Sequence, residues 1–102
     1  LPFGPDTLVY KVMGKAFALT GLDDDQFQVN LKCDPERAME LRDEYPGVII
    51  PGWHMNKKHW NTVYFEQGLG KDFLISLIDH SYQLVVDGLP VKLLKALQDS
   101  NE

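Results

Sequence analysis

Cysteine is nearly absent from this sequence: Cys33 is the single one. It has no partner for an internal disulfide, which argues for a reducing compartment and against a stapled secreted fold. No apolar run approaches the roughly 18 residues that a helical membrane span needs. No charged-then-apolar leader is read at the start. The expectation is a cytoplasmic protein with no membrane partner. A surplus of positive charge is missing too. Lys and Arg number 10 against 15 Asp and Glu, a formal charge of −5. That whole-molecule balance is a poor footprint for nucleic acid, where Lys and Arg supply most non-specific affinity. No Gly-rich phosphate loop, CxxC or HExxH is found, which removes the usual signatures of nucleotide hydrolysis, thiol redox chemistry and zinc proteolysis.

What is present suits one small domain spanning residues 1–102. The apolar fraction is 44% and the charged fraction 25%, ordinary values for a soluble globular chain. One stretch stands apart. Residues 51–62, PGWHMNKKHWNT, hold both tryptophans, two of the 3 histidines and a lysine pair, with no acidic residue.

Periodicity then orders the chain. Leu1 to Asp6 reads as a Pro/Gly-rich entry. Thr7 to Met13 and Lys15 to Leu19 are rich in strand formers and reverse at Gly14-Lys15, which predicts a hairpin. Asp23-Asp24-Asp25 lacks the spacing of an EF-hand and reads as a solvated acidic turn. Phe27 to Cys33 alternates, with Phe27, Val29, Leu31 and Cys33 on the core face. Cys33 therefore reads as a small buried hydrophobe. Asp34-Pro35 signals a helix start, and Pro46-Gly47 its end. Ala38, Leu41 and Tyr45 form its inward stripe, with Arg42 among the solvated residues. Val48 to Ile50 and His59 to Glu66 predict two further strands, with Lys57-Lys58 at the turn of a second hairpin. Lys71 to Val86 carries a broad apolar stripe through Phe73, Leu74, Leu77, Ile78, Ser81, Leu84 and Val85, and Gly88 stops it. Leu89 to Leu97 predicts a last helix that docks through Val91, Leu94 and Leu97, and residues 99–102 should fray. The order is β-β-β-α-β-β-α with a C-terminal helix. Short turns between neighbours imply a five-stranded antiparallel sheet, with helices on one face: an α+β two-layer sandwich whose other face is partly open.

Several pieces together, FGPDTLVYKVMGKAFAL, NLKCDPERAMELRDEYPGVI, PGWHMNKKHWNTV and LIDHSYQLVVDGLP, resemble the MmcQ/YjbR family in order and spacing over nearly the whole chain. The resemblance implies the CyaY-like sandwich shared with type III secretion chaperones. Family members carry a further helix ahead of the first strand, so this sequence is expected to lack that N-terminal helix. The resemblance also implies a bacterial, cytoplasmic protein of uncharacterised function. It carries a DNA-binding label that stems from a double-wing arrangement of hairpins, and no established catalytic residues.

Three functional classes follow for the central stretch. As a nucleic-acid contact, Lys57 and Lys58 would meet phosphates, His54, Asn56 and His59 would add hydrogen bonds, and Trp53 or Trp60 would stack on an unpaired base. Lys11, Lys15 and Lys32 would extend the patch if the first hairpin lies on the same side. As a protein-interaction module, the chain would use exposed aromatics around Trp53, Tyr64 and Phe65. As an enzyme or metal site, it would need Cys33, His54, His59 and His80 to converge. A purely structural assignment competes with all three: Trp60 as core anchor, Asn56 and Asn61 fixing turns, and the lysine pair guarding a sheet edge. The expectation is a non-catalytic protein with no metal and no cofactor, a monomer or weak dimer whose partner is DNA or, alternatively, another protein.

Overall fold

The computed structural model describes residues 7–21, 27–52 and 55–100. Its elements are β1 (Thr7–Val12), β2 (Lys15–Gly21), β3 (Gln28–Lys32), α1 (Pro35–Glu44), β4 (Ile49–Pro51), β5 (Trp60–Tyr64), α2 (Lys71–Asp87) and α3 (Val91–Ser100). The strands form one antiparallel sheet in the order β1-β2-β3-β5-β4. The expected α+β architecture is thus observed. The Pro/Gly entry and the Asp23–Asp25 turn lie outside the described residues.

Local chemistry accounts for the elements. The β1–β2 turn uses Met13 and Gly14 at positive φ, 49° and 83°, a backbone that suits the twist of a two-residue hairpin. Asp34 caps α1 by accepting from the Arg37 N–H at 3.4 Å, and Pro35 occupies the first helical position, where no N–H is needed. Gly47, at φ 76°, turns the chain out of α1 toward β4.

The core lies between the sheet and the first two helices. Ala18, Val29, Leu31, Ile49 and Val63 meet Ala38 and Leu41 of α1 and Leu77 of α2 in one buried cluster with Cys33. Register explains this set. Val29 pairs with Val63, and Ile49 with Val63, so all three share one face. Phe73 and Tyr45 close the edge, with ring centroids 5.2 Å apart.

Three sequence expectations are corrected. Phe27 precedes β3 and is 45% exposed, resting on Phe65 at 5.2 Å rather than in the core. Val91 does not dock; it opens α3 at 81% exposure. The C-terminal helix also extends to Ser100, beyond the expected end at Leu97. The sheet's other face is partly open, as expected, although Leu19 and Thr62 on it are 2% and 0% exposed. Thr62 donates to Asn30 on the neighbouring strand, and period-two alternation places it between the half-buried Trp60 and Tyr64.

Candidate nucleic-acid interface

The sheet forks at one end. The β2–β3 ladder stops at the Ala18–Leu31 pair, while β1–β2 continues to Val12–Lys15 and β3–β5 to Lys32–Trp60. Extending the register would pair Phe17 with Lys32. Instead the Ser81 hydroxyl of α2 stands between them. The Lys32 N–H donates to Ser81 Oγ at 2.8 Å, and Ser81 donates to the Phe17 carbonyl at 2.6 Å. Ser81 is fully buried, and this exchange satisfies two strand groups that forgo their direct ladder bond. Beyond it, β1–β2 forms one arm of the fork and β3–β5–β4 the other.

Both hairpin turns project from that forked end. Lys15 opens β2, Lys32 closes β3 and Trp60 opens β5, so the antiparallel order places all three at the same end of the sheet. The 57–59 turn precedes β5 there. Lys11, Lys15, Lys57 and Lys58 are exposed, and Lys32 and His59 are half-buried. The first hairpin turn and the 57–59 turn thus lie at the same end of the sheet. Trp53 and His54 lie outside the described residues.

The second hairpin is held from below by an arginine that the sequence pattern assigns to solvent. Arg42 of α1 donates through Nε to Asn61 Oδ1 at 2.7 Å and through Nη2 to the Trp60 carbonyl at 3.2 Å, and it also reaches the Lys57 carbonyl. Lys57 Nζ turns back to the Gly52 carbonyl at 3.2 Å. Asn56 Oδ1 accepts from the Lys58 N–H at 3.0 Å, the turn-fixing role expected of it. Asn61 does not fix a turn. It faces the core at 2% exposure, and its Nδ2 has no hydrogen-bond partner among the described residues. Trp60 is half-buried and outside the buried cluster, which corrects its assignment as a core anchor.

A cleft of about 380 Å³ opens in the fork. Lys15 and Ala16 of β2, Lys32 of β3 and Trp60 of β5 line it, together with Leu84 and Val85 of α2 and Gly88 beyond. Two lysines and several apolar residues share the lining, and among the described residues no acidic side chain joins them. The C-terminal end of α2 also borders it, with the Leu84 and Val85 carbonyls already bonded to the Gly88 N–H at 3.2 Å each. That helix end carries partial negative charge.

Cys33, His80 and Asn61 do approach one another, around a void of about 10 Å³, room for about one water. The arrangement does not suit a nucleophile. Burial pushes the Cys33 thiol above its ordinary value, outweighing the lowering by Arg37, whereas a reactive cysteine needs a depressed one. His80 Nε2 accepts from the Asp34 N–H at 3.3 Å. Among the described residues, no three His, Cys, Asp or Glu side chains cluster as a metal site. No helix among them is long and apolar enough to cross a membrane.

Ser81 and Arg42 were not legible as site residues. A serine inside an apolar stripe is a faint signal for a buried polar task. Nothing in the sequence points Arg42 at the hairpin.

Comparison with known proteins agrees with the fold. A family model described as YjbR matches residues 1–84. The chain is 44% identical over 88 residues to the uncharacterised YbdF of Escherichia coli O157:H7, covering 86% of this chain and 71% of that one. It is 38% identical over 87 residues to the uncharacterised YjbR of Escherichia coli K12, covering 85% and 73%. A crystal structure of a Deinococcus radiodurans protein with a DUF419 domain superposes with a TM-score of 0.85 at 41% identity, over 96% of this chain and 75% of that one.

Proposed function

Taking as premise that the chain belongs to the YjbR family, we propose that it is a non-catalytic DNA-binding protein that contacts phosphates through the forked end of its sheet. One observation carries this reading: two hairpin turns and the end of β3 bring Lys11, Lys15, Lys32, Lys57 and Lys58 to the same end of a molecule whose total charge is −5. Lysines gathered at one end of an acidic protein favour a polyanion there over the rest of its surface. His59 and Asn56 adjoin the lysine pair, and Trp53 and His54 stand a few residues before it in the sequence. Arg42 supports the reading indirectly, since it fixes the hairpin that presents Lys57 and Lys58.

The test is an anisotropy titration of labelled DNA at several salt concentrations. Binding should weaken as salt rises, with a log–log slope of roughly −1.5 to −4.5 for about two to five phosphate contacts. Lys57→Glu with Lys58→Glu should flatten that slope by about 2 while leaving the melting temperature nearly unchanged. Undiminished binding by the double variant would remove the hairpin from the site.

A second reading rests on a different observation. Leu8 and Tyr10 of the edge strand β1 are 44% and 51% exposed, and β1 pairs with β2 alone among the described strands. An adaptor that adds a partner's strand to this edge would use them. Absence of DNA binding at low salt would favour it.

A further inference from the structure

We infer that the cleft in the fork receives one unpaired base, so that the preferred ligand is single-stranded rather than duplex nucleic acid. This rests on the DNA-binding reading above and names the ligand form and the pocket that selects it.

The lining sorts the parts of a nucleotide. Lys15, exposed, and Lys32, half-buried, are the cationic part of the lining and would meet a phosphodiester. Trp60 is the aromatic residue of the lining, the one on which a base would stack, and Ala16, Leu84 and Val85 are its apolar residues. Stacking on an aromatic within a basic groove is the usual way that single strands are held without sequence readout. The volume, about 380 Å³, falls in the range of small-ligand sites.

The border formed by α2 decides what goes inward. Its C-terminal end is the negative pole of the helix, so a phosphate is disfavoured deep in the cleft. A base, which is uncharged, is not. In a duplex the bases are stacked and paired, and inserting one here would require flipping it out against both interactions. A single strand has no pairing to break. Duplex can therefore reach the exposed lysines of the two turns but not the cleft.

Trp60 is also well placed to hold this role. Its carbonyl takes the Gly52 N–H at 2.9 Å and the Arg42 guanidinium at 3.2 Å, so the strand that carries the indole is anchored from two sides. Arg42 acts here as a positioning residue.

The experiment uses the chain as it is, with three labelled DNA probes of equal length at one salt concentration: a mixed-sequence single strand, its duplex, and a single strand of abasic sugar-phosphate units. Tryptophan emission is followed in parallel. The single strand should bind about tenfold or more tightly than either other probe, and only it should quench tryptophan emission. Lys32→Glu should remove most of that preference. Trp60→Phe, which keeps an aromatic face, should retain more of it than Trp60→Leu. Equal binding of all three probes would overturn the cleft assignment while leaving the DNA-binding reading intact. Binding of none would overturn both.

Discussion

The hydroxyl of Ser81 occupies the place where the Lys32 N–H would otherwise meet the Phe17 carbonyl. One side chain from a helix thus ends the ladder between two strands, at 2.8 Å from one and 2.6 Å from the other. The sheet divides there, and the cleft lies immediately beyond. The fork is a built feature, because both strand groups remain satisfied while their direct bond is forgone.

Ser81→Ala should destabilise the fold by about 2 kcal/mol, since it strands a buried donor and a buried acceptor. Chemical denaturation would measure this. If β2 and β3 instead close up and bond directly, the loss will be smaller and a crystal structure of the variant will show the cleft narrowed.

Arg42→Ala should cost about 2 kcal/mol or more, because charged donors to Asn61 and two carbonyls are lost and Asn61 stays buried. Arg42→Lys should rescue little of it, since an ammonium lacks the planar fork that reaches several acceptors. Hydrogen exchange should show faster opening of the amides around Trp60 in both variants.

Gly52→Ala should be destabilising by about 1–3 kcal/mol. An added Cβ would stand 2.8 Å from Trp60 Cβ and 3.0 Å from the Trp60 carbonyl, so the strand that carries the indole must shift. The same variant should alter the tryptophan emission of the unliganded protein, which a fluorescence spectrum checks. An unchanged spectrum and stability would show that the two strands separate freely here.

Cys33 sets a pH dependence. Burial raises the folded thiol above its ordinary 9.0, so the folded state holds the proton more tightly than the unfolded chain. The stability this contributes is fully present below the unfolded value and is lost as pH rises through the folded one. Wild type should therefore lose stability more steeply than Cys33→Ala above about pH 9. Alkylation of Cys33 at neutral pH should be slow in the native protein and fast in denaturant.

Much of the architecture was legible because it depends on local chemistry. Alternation at Val29, Leu31 and Cys33 marked the core face of β3. Asp34-Pro35 marked the start of α1, and Leu77, Ser81 and Val85 marked the buried stripe of α2. Phe27 obeyed the same alternation and still fell outside the strand, because pairing with β5 begins only at Gln28. Val91 fitted a helical stripe but lies in the first turn of α3, where its side chain meets little of the protein.

The candidate site divides in the same way. Sequence alone determined that Lys57 and Lys58 sit in a turn and that Lys11 and Lys15 flank another, because turn and strand preferences act over a few residues. Only the tertiary structure decided that both turns share one end of the sheet, since that follows from the strand order β1-β2-β3-β5-β4. It likewise decided that Arg42 grips the second hairpin and that Ser81 parts β2 from β3. Those contacts join residues 15 to 64 positions apart, and no local preference along the chain reports which distant backbone groups a side chain will find.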